Sequence, residues 1–253
     1  MVLKIDAVRE RLPGRRIEWH RSIATTMTEA ARLAAEGCES GTVIGADEQT
    51  DGHGRHGRAW HSEAGAGLYV SIVLRYAFAP DDLPAVTLAL GLAAVDAILK
   101  TTDLQSDLRW PNDVLIQSKK CGGILARMEG TAIIAGIGIN VNQAGFPVEL
   151  EEIATSLRIA SDGRTHSREQ VLVELVNGVD NYCALLEREG RKPILEMFGR
   201  ASSFVNGRRV DVDLGSGVVR GTTAGLNESG FLILRRDDGT ENVVMNGGVR
   251  PCS

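Results

Sequence analysis

Residues 109–125 read Arg-Trp-Pro-Asn-Asp-Val-Leu-Ile-Gln-Ser-Lys-Lys-Cys-Gly-Gly-Ile-Leu, and no other stretch restricts the fold as much. Val114-Leu115-Ile116 reads as a short buried strand, Gln117-Ser118-Lys119-Lys120 as a polar hairpin connection, and Gly122 to Ala126 as the start of the returning strand. A hairpin of that length carries Asp113 and Lys120 back towards one another on one side of a sheet. An acid placed for a metal and an amine placed for a phosphate or carboxylate suit nucleotide chemistry. Taken alone, the same residues also describe a solvated surface hairpin.

Upstream, residues 52–60 read Gly-His-Gly-Arg-His-Gly-Arg-Ala-Trp. Glycine lets a backbone approach a ligand closely and adopt positive φ. Arg55 and Arg58 add fixed charge in forked donors that match phosphate oxygens. The stretch reads as a loop built to fold over an anion, although such loops also occur as solvated turns.

The surrounding pattern alternates helix and strand. Strands are expected at 17–20, 42–46, 68–74 and 132–140, with Leu68, Val70, Ile72 and Leu74 on one face of the third. Thr25 or Thr26 caps a helix running to Ala35 and ended by Gly37. Residues 84–99 are apolar on most sides and read as a buried helix; 167–189 has helical spacing, and a shorter helix follows Pro193. After about Ser203 the texture changes to short β-like segments at 204–205, 209–214, 218–226, 231–235 and 242–245. Turns at Asn206-Gly207, Gly215-Ser216-Gly217, 227–230 and 237–239 separate them, the pattern of a small barrel. The expected division is 1–203 and 204–253.

Composition narrows the function. A net charge of −5 argues against a general nucleic-acid binder, which needs a basic face. No apolar run reaches the roughly 18 residues that span a membrane, and residues 1–16 have no signal-peptide core. The four cysteines (Cys38, Cys121, Cys183, Cys252) are far apart and form no CxxC, so a reducing cytoplasm is the expected setting. His53, His56 and His61 offer a zinc alternative, without a nearby cysteine or regular spacing.

In order and spacing, the glycine/arginine loop, Trp110-Pro111-Asn112-Asp113 with Lys120 and Gly123-Ile124-Leu125 behind it, and Gly138-Ile139-Asn140 resemble the biotin protein ligase family. The resemblance implies an α+β fold: a mixed central sheet flanked by helices, class II synthetase-like, with a small SH3-like C-terminal barrel. It implies activation of biotin by ATP, with Mg²⁺, to biotinyl-5′-AMP, and transfer to a lysine of a biotin carboxyl carrier protein. Residue by residue, Lys120, Arg55 and Asp113 would be catalytic, with Asp113 either holding the metal or orienting the carrier lysine. Thr25, Thr26, Gln49, Gly52 and Gly123 would join Arg55 and Lys120 around biotin. Arg58, Trp60, Asn112 and Asn140 would complete the nucleotide site, with Trp60 stacked on adenine and Asn140 reading its edge. Core packing for Trp60 and simple capping for the threonines are the plainer alternatives.

Several positions depart from the family pattern. His53 stands for the usual first arginine, Arg109 for the usual lysine, and Thr25-Thr26-Met27 for Ser-Thr-Asn. The catalytic pattern begins within the first 20 residues, so no N-terminal helix-turn-helix is expected. A lipoate ligase or octanoyl transferase of the same fold is the rival enzyme, and a biotin-sensing partner protein the non-enzymatic rival. Neither nucleic acid nor membrane is an expected partner, and a homodimer is left open.

Overall fold

The computed structural model describes residues 3–215 and 217–252. Strands β1 (Ile17–His20), β2 (Val43–Ala46), β3 (Leu68–Leu74), β4 (Asp107–Arg109), β5 (Asp113–Ile116), β6 (Lys119–Glu129) and β7 (Ala132–Ile139) form one sheet in the order β1-β2-β3-β7-β6-β5-β4. β1 runs parallel to β2 and every other neighbouring pair is antiparallel, so the sheet is mixed, as expected.

Helices α1 (Ile5–Arg11), α2 (Thr26–Ala35), α3 (Leu83–Thr102), α4 (Val148–Glu151), α5 (Leu157–Ala160), α6 (Arg168–Glu189) and α7 (Arg191–Ala201) flank this sheet. Leu68, Val70, Ile72 and Leu74 share the large core with α3 and α6. Val73 points the other way, with Ile44 and Ile134, into a smaller core under Met27, Ala30 and Leu33 of α2. The alternation of β3 is thus real, but both faces are covered. Pro80–Thr102 is apolar and long enough to cross a membrane by length and composition, contrary to the sequence expectation. Its residues instead pack on α6, α7 and β6, with a Cβ on Gly178 falling 3.1 Å from Ala93.

β8 (Asn206–Asp213), β9 (Val218–Leu226), β10 (Leu232–Arg235), β11 (Glu241–Val244) and β12 (Gly248–Pro251) form a five-stranded antiparallel sheet in the order β11-β10-β9-β8-β12, the SH3-like unit. Phe204-Val205 is not a strand: both residues are buried in the turn that enters the unit. Asn206-Gly207, expected as a turn, already belongs to β8, and β12 was not foreseen. Ser216, in an expected turn, lies outside the described residues. α1 was also missed, because its single aliphatics between charges hide a one-sided helix burying Val8. α7 starts two residues ahead of Pro193, which sits in the first turn where its missing N–H leaves no bond unmade.

The two sheets share one core. Trp110 Nε1 donates to the Gly230 carbonyl at 3.0 Å, and the Ser202 hydroxyl donates to the Leu108 carbonyl at 2.5 Å. Trp110-Pro111 is a cis peptide.

Candidate active site

The floor of the site is bare backbone. Gly123 of β6 pairs directly with Gly138 of β7, and Gly136 pairs with Leu125. A Cβ on Gly138 would stand 2.7 Å from the Trp60 ring, and one on Gly136 2.7 Å from the Met27 sulfur. At Gly123 it would meet Trp60 at 3.1 Å and the Lys120 stem at 3.2 Å. Three side chains therefore lie flat on the sheet only because these positions lack one. Above them opens a cavity of about 970 Å³, at the upper end of the range of small-molecule sites. The 53–61 loop, residues 146–154 and the β12 edge of the C-terminal unit wall it.

The hairpin has a two-residue loop. Gln117 and Ser118 both have positive φ (50° and 66°), as a type I′ turn requires, so Lys119 and Lys120 already belong to β6 rather than to the connection. Register then decides the chemistry. Val114 faces Gly122 but Leu115 faces Lys120, so Cys121 is an extra residue, a bulge. Regular alternation would put Lys120 on the opposite face from Asp113; the bulge returns it to the same one. The displaced Lys120 backbone finds partners outside the hairpin: its N–H donates to Ile153 O at 2.8 Å, and its carbonyl accepts from Thr155 N at 2.9 Å.

Asp113 is the hub. Lys120 Nζ lies 2.5 Å from Oδ1, and Arg109 donates to Oδ2 through Nη2 at 2.6 Å and Nε at 3.1 Å. Burial alone would raise the Asp113 pKa, but Lys120 and Arg109 outweigh it and hold the carboxyl below its usual range. Asp113 is therefore ionised at neutral pH. Its stabilising contribution is present above the unfolded pKa and disappears only as pH falls through the lower folded one. Lys120 Nζ also stands 5.3 Å from the Trp60 ring centroid, a cation–π distance.

Amides and hydroxyls collect at one end of the cavity. Gln49 Oε1 accepts from Thr26 N at 2.9 Å and Thr26 Oγ1 at 3.1 Å, and Thr26 Oγ1 lies 2.8 Å from Ser71 Oγ. Gln49 Nε2 donates to Ser62 Oγ at 3.4 Å, and Gly52 fits so tightly that a Cβ would meet Gln49 and the Trp60 carbonyl at 3.0 Å. Thr25 Oγ1 is the cap of α2, accepting from Met27 N at 3.3 Å. Thr25, Thr26, Gln49 and Gly52 thus come together. Ser71 and Ser62 were missed; a lone serine inside the apolar run of β3 was the available signal for the first.

The glycine/arginine loop is a closed hairpin. Trp60 N donates to Gly52 O at 2.8 Å and Gly54 N to Arg58 O at 2.7 Å, and His56 turns the tip at φ 58°. Arg55 Nη1 reaches Asn112 Oδ1 at 3.2 Å and Gly247 O at 3.3 Å, tying the loop to both units. Burial lowers the Arg55 pKa, against the pull of Asp113. Asn112 Nδ2 donates to Ile124 O at 2.9 Å, locking it to β6. Arg58 is exposed on the loop, and His53 Nε2 lies 3.1 Å from Asp51.

Asn140 is buried and engaged at both ends of its amide: Nδ2 donates to Thr155 O at 3.0 Å, and Oδ1 accepts from Gln143 Nε2 at 3.4 Å. It holds the segment on which the Lys120 backbone rests. The buried Gln143, which also donates to the Tyr69 hydroxyl at 3.1 Å, was not singled out from sequence. Trp60 Nε1 is buried without an acceptor among the described residues, which leaves it a free donor.

Asp113 fits a metal poorly, because Lys120 and Arg109 already offset its charge and would repel a further cation, while Oδ1 keeps a lone pair for a neutral donor. Among the described residues no group of three or more His, Cys, Asp or Glu side chains gathers into a cage, and His53, His56 and His61 do not form one.

Comparison with known proteins agrees with this geometry. The biotin/lipoate A/B protein ligase family model matches residues 19–143, and the biotin protein ligase C-terminal domain model residues 206–248. The chain is 32% identical over 256 residues to the biotin–[acetyl-CoA-carboxylase] ligase of Mycobacterium tuberculosis, covering 96% of this chain and 92% of that one. It is also 32% identical over 237 residues to the bifunctional ligase/repressor BirA of Bacillus subtilis, covering 91% of this chain and 72% of the relative. The biotin protein ligase of Aquifex aeolicus, solved with biotin and ATP, superposes with a TM-score of 0.81 at 30% identity over 93% of this chain and 97% of the other. The chain belongs to the biotin protein ligase family.

Proposed function

We propose that this chain is an ATP-dependent biotin protein ligase: it converts biotin and ATP to biotinyl-5′-AMP and diphosphate, then transfers biotin to a lysine of a biotin carboxyl carrier protein. We read residues 1–203 as the catalytic domain and 204–253 as a C-terminal domain that closes one wall of its cavity. The observation that carries the reading is the placement of Lys120, Arg55 and Asp113 in one cavity with an amide- and hydroxyl-lined end.

The chemistry requires two anions to meet. A biotin carboxylate oxygen attacks the α-phosphorus, and the bond to the leaving diphosphate breaks. Lys120, on the floor, and Arg55, on the loop, supply positive charge where carboxylate and phosphate converge. Arg58 reaches the phosphates from the loop once ligand is present. Thr26 and Gln49 suit a ureido ring, which offers a carbonyl and two N–H groups, with Thr25, Gly52 and Gly123 shaping the surroundings. Trp60, Asn112 and Asn140 form the nucleotide side. In the second step a carrier amine attacks the acyl carbon of the mixed anhydride and AMP leaves. Asp113, held ionised, is an acceptor that orients the incoming amine. Magnesium, when bound with ATP, neutralises triphosphate charge; Asp113 is not assigned to hold it.

The carrier is the partner; neither nucleic acid nor membrane is part of the reading. Three buried free cysteines and a half-buried fourth suit a reducing cytoplasm. The test is biotin-dependent exchange of diphosphate into ATP, followed by transfer to a carrier domain. Exchange driven by lipoate or octanoate in preference to biotin would overturn the reading.

Arg55→Gly should release the activated intermediate. It removes the two contacts that tie the loop to Asn112 and Gly247. A hydrogen bond from a charged donor is worth about 1.5–3 kcal/mol, so adenylate release should quicken by about 10–100-fold. Biotin appearing on the lysines of an unrelated bystander protein is the readout. Labelling confined to the carrier would show that Arg55 does not hold the loop.

A further inference from the structure

We propose that Arg109 is a positioning residue for Lys120, acting through Asp113, and that the Phe204 ring at the entry to the C-terminal unit steadies it. This rests on the reading of the chain as a biotin-activating enzyme. Arg109 ends β4, and its Nε and Nη2 take the same carboxylate oxygen, Oδ2, at 3.1 and 2.6 Å. That grip holds Oδ2 from two directions and leaves Oδ1 free for Lys120 Nζ, 2.5 Å away. A lysine ammonium at position 109 would attract the same oxygen but lacks the rigid, two-donor fork that holds it in place.

Arg109 is itself braced. Its guanidinium carbon lies 6.0 Å from the Phe204 ring centroid, and that of Arg208 lies 3.9 Å from the same centroid. Phe204 N donates to Ser202 Oγ at 3.2 Å, and Ser202 Oγ donates to the carbonyl of Leu108, the residue before Arg109. Ser203 N donates to Asp107 Oδ1 at 2.8 Å. β4 and the chain entering the C-terminal unit are therefore one rigid piece, and Arg109 transmits that rigidity to the hub.

The charged groups facing Asp113 are Lys120 from β6, Arg109 from β4 and Arg55 from the loop. Removing Arg109 takes away one of the cations that offset burial, so the Asp113 pKa rises. The ionised hub is then lost at a higher pH as the solution is acidified, and the acid limb of adenylation moves upward.

The experiment measures biotin-dependent diphosphate exchange as a function of pH for the full-length wild type, Arg109→Met, Arg109→Lys and Phe204→Leu, with thermal unfolding as a fold check. Arg109→Met should lose about a hundredfold in kcat, the cost of a misplaced catalytic group, with the KM for biotin nearly unchanged and the acid limb shifted up. Arg109→Lys should restore the acid limb and part of kcat. Phe204→Leu should lower kcat less, in the same direction. Should Arg109→Met fail to fold, the Lys and Leu variants carry the same comparison. Wild-type kcat and acid limb in the variants would overturn the proposal, as would an equal loss in Met and Lys variants with an unmoved acid limb. A wild type that exchanges nothing with biotin would instead overturn the proposed function.

Discussion

Lys120→Ala is expected to lower the rate of biotinyl-AMP formation by about 10²–10³-fold while the chain stays folded. Removing one preorganised donor from a site of developing charge costs about 2.7–4 kcal/mol. The bulge at Cys121 spends a sheet position to bring this amine onto the face of Asp113, and no other lysine shares that face of the hairpin. Lys119 is the internal control: its Nζ donates to the Glu151 carbonyl at 2.9 Å on the surface, and Lys119→Ala should change the rate by less than about twofold. Single-turnover adenylate formation reads both. Comparable rates for Lys120→Ala and wild type would remove Lys120 from the chemistry.

The largest expected loss of stability lies away from the reacting atoms. Arg168, the first residue of α6, pairs with Asp47 at 3.0 Å, with side-chain exposures of 4% and 9%. Arg168 also donates to Gly67 O at 3.1 Å, so it fastens both roots of the segment that carries Gln49 and the glycine/arginine loop. Breaking a buried pair from one side leaves an uncompensated charge and costs about 3–5 kcal/mol. For a chain of this size Arg168→Met should lower Tm by about 10 °C. The double variant Arg168→Met/Asp47→Leu should recover part of that loss, because the stranded carboxylate is gone. A single variant as stable as wild type would show that the pair is solvated in practice.

Much of the site was legible because its chemistry lies in contiguous motifs. The hairpin that joins Asp113 to Lys120 follows from residue spacing, and the cap at Thr25 and the stop at Gly37 follow from residue type. What escaped depends on register and on distant contacts. The bulge cannot be read from Lys-Lys-Cys-Gly-Gly, because its cause is pairing of Lys120 with residues 153–155. Phe204-Val205 has strand-forming side chains, yet packing between the two sheets places it in a turn. Asn140 was expected to face adenine, but its amide is also committed to Thr155 and Gln143, partners that sequence spacing does not reveal. In sequence Arg109 is an exchange of one cation for another; its two contacts with Asp113 Oδ2 depend on the pairing of β4 with β5.

The bare floor at Gly123, Gly136 and Gly138 limits how this enzyme can be re-engineered. A surface made of main chain offers a designer nothing to trim, and any side chain added there would collide with Trp60, Lys120 or Met27. Libraries aimed at new acyl donors therefore gain little by varying the platform. Diversity belongs in the cavity residues that do not rest on the platform, Thr26 and Gln49 on one wall and Phe146 on another, where a change alters the shape of the chamber without lifting the catalytic amine off its base.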